Sequence, residues 1–144
     1  MSGGESIMSG PVKSEAHASD FLGVWDLVSH LVQDEGGAWV ESGPGARGLL
    51  IYTTEGIMSV AISWGDPTAE VRELFYAGAY RIQESSVIHE IWHSNEAWRI
   101  GQSLRRDFRW DGGELVLRGK TSFGQGEIRW KRRPQGPRKI EAGP

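Results

Sequence analysis

Between residues 20 and 133, apolar and polar side chains alternate with period two, and turn residues break the pattern every eight to twelve positions. That rhythm constrains the fold more than any other feature of the chain. A period of two places successive side chains on opposite faces of an extended ribbon. Regular turn signals then fold the ribbon back on itself. Extended runs fall at 22–33, 47–54, 57–64, 73–83, 87–95, 98–111, 114–119 and 127–133, with a further short piece near Trp39. Glu55-Gly56, Glu84-Ser85-Ser86 and Asp111-Gly112-Gly113 read as tight turns. Twenty glycines in 144 residues favour turns and bends over long helices. The expected fold class is all-β, an eight-stranded antiparallel up-and-down barrel with a short N-terminal extension.

The expected organisation is a flexible Gly/Ser-rich segment over 1–18, one barrel over 19–133 and a flexible tail over 134–144. There is no cysteine, so neither a disulfide framework nor a thiolate metal site can form. No apolar run marks a leader or a membrane span, which gives the expectation of a cytoplasmic protein with no membrane partner. The net charge of −3 argues against nucleic acid as a partner. Six of the last 16 residues are basic (Arg129, Lys131, Arg132, Arg133, Arg138, Lys139), and they read as a solvated strand and tail. A homodimer is a candidate assembly.

Residues 87–95, VIHEIWHSN, contain His89-Glu90-Ile91-Trp92-His93, the H-E-x-x-H spelling of many zinc peptidases. The chemistry of that motif needs a helix, which brings two histidines one turn apart onto one metal. On a strand the two histidine Cα atoms stand roughly 13 Å apart, and the glutamate points away. The segment is rich in Val, Ile and Trp, lies between two turn signals, and has no third histidine downstream. It is therefore read as a strand, with no metal and no cofactor.

Phe21-Leu22-Gly23-Val24-Trp25-Asp26-Leu27-Val28-Ser29 carries a G-x-W at the start of the first strand. With Arg47–Tyr52, Glu55–Val60, Tyr76–Tyr80, Val87–His89, the Asp111–Leu117 hairpin and Trp130-Lys131-Arg132, it resembles the bacterial and fungal lipocalin-like domain family, a calycin-type small barrel. The resemblance covers about residues 20–133. It implies a barrel around a cavity, with Trp25 plugging the closed end beneath a basic residue of the last strand: Arg129, Lys131 or Arg132. It also implies company with natural-product or degradative metabolism, where some such barrels act as cofactor-free cyclases, isomerases or dehydratases and others only bind.

A barrel of eight strands can hold one small ligand among its inward side chains. Choosing the more apolar alternate set places Met58, Val60, Ile62 and Trp64 inward on one strand, and Leu74, Tyr76, Gly78, Tyr80 and Ile82 on the next. Further inward positions are His89 and His93 on 87–95, with Trp98, Ile100, Gln102, Leu104, Arg106, Phe108 and Trp110 on 98–111. Asp26 and His30, opposite in parity to Trp25, are expected outside. The candidate catalytic set is His89 as acid or base, Arg106 as a fork for a carboxylate or enolate, and Tyr80 as a donor to an oxyanion. The candidate ligand-binding set is Tyr52, Met58, Trp64, Tyr76, His93, Trp98, Gln102, Leu104 and Phe108. Arg106 could instead be paired with Glu73 or Asp107. The function expected is binding of a small hydrophobic metabolite with turnover as a cyclase, isomerase or dehydratase. The alternatives are a non-catalytic carrier and a filled, purely structural barrel whose cavity falls below about 150 Å³.

Overall fold

The structure is a computed structural model, and it describes residues 17–121 and 124–134. The expected N-terminal segment and tail, with Arg138 and Lys139, lie almost wholly outside the described residues. Nine strands follow one another: β1 Gly23–Gln33, β2 Trp39–Glu41, β3 Arg47–Tyr52, β4 Ile57–Trp64, β5 Arg72–Gln83, β6 Ser86–Ser94, β7 Ser103–Asp111, β8 Glu114–Thr121 and β9 Gly124–Arg132. From β3 to β9 each strand pairs antiparallel with the next; β3 and β9 both pair with β1, which closes an eight-stranded barrel. β2 is an extra strand laid against the far end of β1 through Leu31↔Glu41 and Gln33↔Trp39. The expected barrel is therefore the one observed. The β7–β8 turn shows how local chemistry sets the register. Gly112 and Gly113 both take positive φ (61° and 85°), which fits a two-residue turn that matches the strand twist, and Asp111 pairs with Glu114.

Residues 87–95 are strand, not helix. His89 is buried while His93 is exposed, and Glu90 pairs with Arg81 on the outer face. Among the described residues, no group of three His, Asp or Glu side chains is placed to hold a metal ion. None of their helices is long and apolar enough to cross a membrane.

One end of the barrel is solid. Trp25 is fully buried and donates its indole N–H to the Phe21 carbonyl at 2.9 Å. Phe21, on the turn that follows Ala18–Asp20, stands edge-on to Tyr52 and Phe108 with centroids at 5.7 and 5.1 Å. Of the three basic residues expected over Trp25, Arg132 occupies the place, its guanidinium 4.2 Å from the ring centroid. It also donates to the carbonyls of Leu22 and Asp20, which ties the entry of β1 to the exit of β9. Arg129 instead pairs with Asp111 and Glu114. Replacing Arg132 with Ala removes the cation over the ring and two charge-assisted bonds. The expected loss is about 2 kcal/mol, read from the urea midpoint at unchanged slope.

Two β-bulges change which residues face inward. On β1 the pairing with β9 slips between Arg129↔Ser29 and Trp130↔Leu27, so Val28 is the unpaired extra residue and is half exposed. Between β5 and β6 it slips between Ala77↔His93 and Gly78↔Ile91, which leaves Trp92 as the extra residue, also half exposed. A bulge inserts one residue and so reverses the alternation beyond it.

Candidate functional site

Above the solid end lies a cavity of about 750 Å³. Its floor and walls come from Leu50, Val60, Ile62, Leu117, Ile128 and Trp130, contributed by four strands. This exceeds by far the volume of a filled barrel and falls in the usual range of small-ligand pockets, ~300–1,000 Å³. It opens to solvent where β4 ends and β5 begins, among exposed Arg72, Glu73, Trp98 and Lys120.

Of the residues expected at the site, Trp64, Tyr76, His89, Leu104 and Arg106 line the cavity, and Trp98 stands on its rim at 59% exposure. Tyr52, Met58, Tyr80 and Phe108 do face inward, but they belong to the solid end. Tyr80 donates its hydroxyl to the Thr53 carbonyl at 2.9 Å and packs 4.6 Å from the Tyr52 ring. Alternation identifies the face but not the depth, so these four residues are core beneath the pocket. Two others lie outside. His93 is turned out by the bulge at Trp92. Gln102 is exposed because 98–102 is not strand: a 3-10 turn over Ala97–Arg99 precedes β7, and the Gln102 N–H donates to the Arg99 carbonyl at 2.9 Å. Ile100, also expected inward, is 48% exposed for the same reason.

Several lining residues escape sequence reasoning. His30 was expected outside, yet the bulge at Val28 turns it and Val32 into the cavity, where its ring stands edge-on to Trp64 at 5.6 Å. Asp26, before the bulge, stays outside and pairs with Arg133. Arg72, Glu73, Glu96, Arg99 and Lys120 come from strand ends and the turn before β7, where period two says little. Ser42 joins them by accepting the Trp64 indole N–H at 2.7 Å.

The lining is cationic. Arg99 is neutralised by Glu96 at 2.6 Å. Arg72 lies 4.2 Å over Trp64, and neither it, Arg106 nor Lys120 makes an ion pair among the described residues, which leaves three cations against Glu73. Asp107, once a candidate partner for Arg106, accepts from Ser86 instead. Arg106 has a seat built for it: a Cβ added at Gly119 would lie 2.5 Å from its Nη1.

His89 is the polar centre of the deep wall. Tyr52 Oη lies 2.7 Å from its Nε2 and Tyr76 Oη 3.2 Å from its Nδ1. Tyr52 is 2% exposed and His89 is its one side-chain hydrogen-bond partner among the described residues, so Tyr52 must donate to Nε2. Burial raises the Tyr52 pKa and keeps that proton on. The imidazole then carries its proton on Nδ1 and donates to Tyr76, whose own O–H remains to donate elsewhere. Burial, aided by the Arg106 charge, pushes the His89 pKa down to about 3. Burial, with Arg72 and Arg106, pushes that of His30 down to about 4.

These shifts have a stability consequence. Between pH 6.5 and 4 the unfolded chain takes up protons at both histidines while the folded protein does not. Stability therefore falls as pH is lowered through that window, each histidine contributing up to about 1.4 kcal/mol per pH unit. The carboxylates with depressed pKa, such as Asp26 and Glu127, act in the same direction only below their ordinary range. Urea unfolding at pH 7, 6.25 and 5.5 isolates the histidines, because unfolded carboxylates are still ionised there. A midpoint flat across these values would contradict the buried neutral pair.

No protein-family model matches the chain, and no curated protein matches it. Among solved structures it is similar to a redesigned β-barrel, at 14% identity over 81% of this chain and 95% of that one, with a TM-score of 0.48. It is also similar to a mutant of the fluorescent protein UnaG, at 11% identity over 81% of this chain and 98% of that one, with a TM-score of 0.43. The barrel assignment itself rests on the strand pairing of this chain.

Proposed function

We propose that the barrel binds one small hydrophobic molecule bearing an acid group, and holds it without turning it over. The observation that carries this reading is the 750 Å³ cavity itself: apolar walls below, and above them Arg72, Arg106 and Lys120 with no ion-pair partners among the described residues. A greasy body with a few placed polar groups is the usual make-up of a ligand pocket. A guanidinium seated at its edge is suited to the two oxygens of a carboxylate.

The cyclase, isomerase or dehydratase expectation needs a group that moves protons near neutral pH. His89 was the candidate for that role. Both of its ring nitrogens are engaged by tyrosines, and its pKa lies at about 3, so it is a poor base at pH 7. Tyr80 is spent on Thr53 at the solid end. Carriage or sequestration is the function the geometry supports best. The lipocalin-like resemblance accommodates it, since binding is common to barrels of that type.

Calorimetric titration with dodecanoate and with dodecanol tests the reading. Dodecanoate should bind one-to-one and about tenfold more tightly than the alcohol at low salt, as charge-assisted bonds to arginine require. The gap should narrow at high salt. Equal affinities would remove the acid group from the proposal, and no binding of either would remove the pocket.

A further inference from the structure

Two arginine charges converge on one histidine toward the mouth of the cavity. His30 on β1, Trp64 on β4 and Arg72 on β5 pack in succession. The Arg72 guanidinium lies 4.2 Å over the Trp64 ring, and the His30 ring stands edge-on to Trp64 at 5.6 Å. Gly43 backs this group: a Cβ there would lie 2.9 Å from Trp64 Cδ1 and 3.4 Å from Arg72 Nη2. Arg106 reaches in from β7, seated against Gly119. Burial, then the charge of Arg72 and then that of Arg106, keep the His30 ring neutral, so both cations act at one place. Neither arginine makes an ion pair among the described residues, and Arg106 Nη1 donates one long bond, 3.4 Å, to the Arg105 carbonyl. The other charged lining residues do not cancel them. Glu96 is held by Arg99 at 2.6 Å, and Glu73 and Lys120 oppose one another in sign. His89, deeper on β6, is neutral near pH 7. The cavity therefore carries a surplus of two positive charges, those of Arg72 and Arg106.

A single carboxylate leaves one of these two charges unmatched. On the binding reading above, we infer that the ligand's acid end carries two negative charges on one compact group, as a phosphate monoester does, gripped by Arg72 and Arg106 together. The molecule is then an apolar chain that ends in a phosphate, and a simple fatty acid is the weaker ligand. A phosphate monoester sets a charge of about −1.5 to −2 at neutral pH and three strong acceptor oxygens on one atom. Guanidinium forks match those oxygens in pairs. Two like charges gathered at one site repel each other, and a dianion relieves that repulsion more fully than a monoanion.

Calorimetry on the full chain at pH 8 compares dodecyl phosphate with dodecyl methyl phosphate, both kept below the concentrations at which they form micelles. They share the chain and the phosphorus, but the first is a dianion at that pH and the second a monoanion at any pH. The dianion should bind about tenfold more tightly. In Arg72→Gln, which removes one cation and keeps a polar side chain, that ratio should fall by about threefold or more. A ratio near one on the wild-type protein overturns the inference, as does a ratio unchanged in Arg72→Gln. Should that variant fail to fold, phosphorus NMR of dodecyl phosphate on the wild type gives the same answer. A tenfold preference for the dianion lowers the second pKa of the bound ligand by about one pH unit from its free value of about 6. A bound value equal to the free one overturns the inference. Dodecanoate binding with no gain from the second charge defeats this inference alone. Failure of dodecanoate and of both phosphates to bind defeats the pocket reading as well.

Discussion

Gly78→Ala should cost about 3 kcal/mol or more, and should lower the melting temperature by roughly 10 °C, by far the largest effect of any Gly-to-Ala change in the barrel. The reason is the bulge at Trp92. Gly78 pairs with Ile91 just where β6 carries its extra residue, and there the two backbones come together. A Cβ on residue 78 would sit 1.7 Å from the Glu90 carbonyl oxygen and 3.0 Å from the Trp92 nitrogen. Both are backbone atoms, so no rotamer change relieves the overlap. The pairing of β5 with β6 must open or shift. Gly56→Ala is the control. Gly56 sits in an open turn with φ of 84° and nothing within 4 Å, so only the left-handed backbone penalty of roughly 1–2 kcal/mol applies. Thermal unfolding of the two variants decides the matter. If Gly78→Ala were as stable as Gly56→Ala, the close approach at the bulge would be wrong, and with it the outward turn of His93.

The second large effect concerns ligand affinity. Arg106→Glu should weaken dodecanoate binding by about a hundredfold or more, because a charge-assisted bond is lost and a like charge is set against the acid. Gly119→Ala should push in the same direction by a smaller factor. Its methyl group would lie 2.5 Å from Arg106 Nη1 and 2.8 Å from Arg106 Cδ, and would unseat the guanidinium without touching its charge. For both variants the informative quantity is the ratio of acid to alcohol affinity, measured by calorimetry. The ratio should collapse toward one in Arg106→Glu and fall part of the way in Gly119→Ala. A ratio that stays at its wild-type value in Arg106→Glu would show that the acid group is held elsewhere, with Arg72 and Lys120 at the mouth as the remaining cations.

The two predictions touch opposite sides of the same property. The solid end, with Trp25, Phe21, Tyr52 and Phe108 packed ring against ring, contributes aromatic burial and gives the barrel its stability. The open end leaves Arg72, Arg106 and Lys120 without an ion-pair partner among the described residues.

The sequence alone determined most of what depends on near neighbours, the 3-10 turn over Ala97–Arg99 being the local feature that period two missed. Period two and the turn residues specify extended ribbons and where they reverse, because side-chain alternation and turn preference are properties of a few consecutive residues. This is why the eight barrel strands, the strand character of HEIWH and the inward facing of Trp64, Tyr76, His89, Leu104 and Arg106 could all be read from it, whereas the plug at Trp25 came from the family resemblance. Tertiary structure decided what depends on a strand's partner. A bulge exists only as two residues against one, so nothing in β1 alone announces that Val28 will be squeezed out and His30 turned inward. Likewise nothing in β6 alone announces that Trp92 will send His93 to the surface. Depth is also a tertiary property: Tyr52, Met58, Tyr80 and Phe108 share the inward face with the cavity residues, and only the packing of Phe21 and Trp25 beside them makes their layer solid. The rim charges arise the same way, from strand ends and the turn before β7, brought together only when β9 closes on β1.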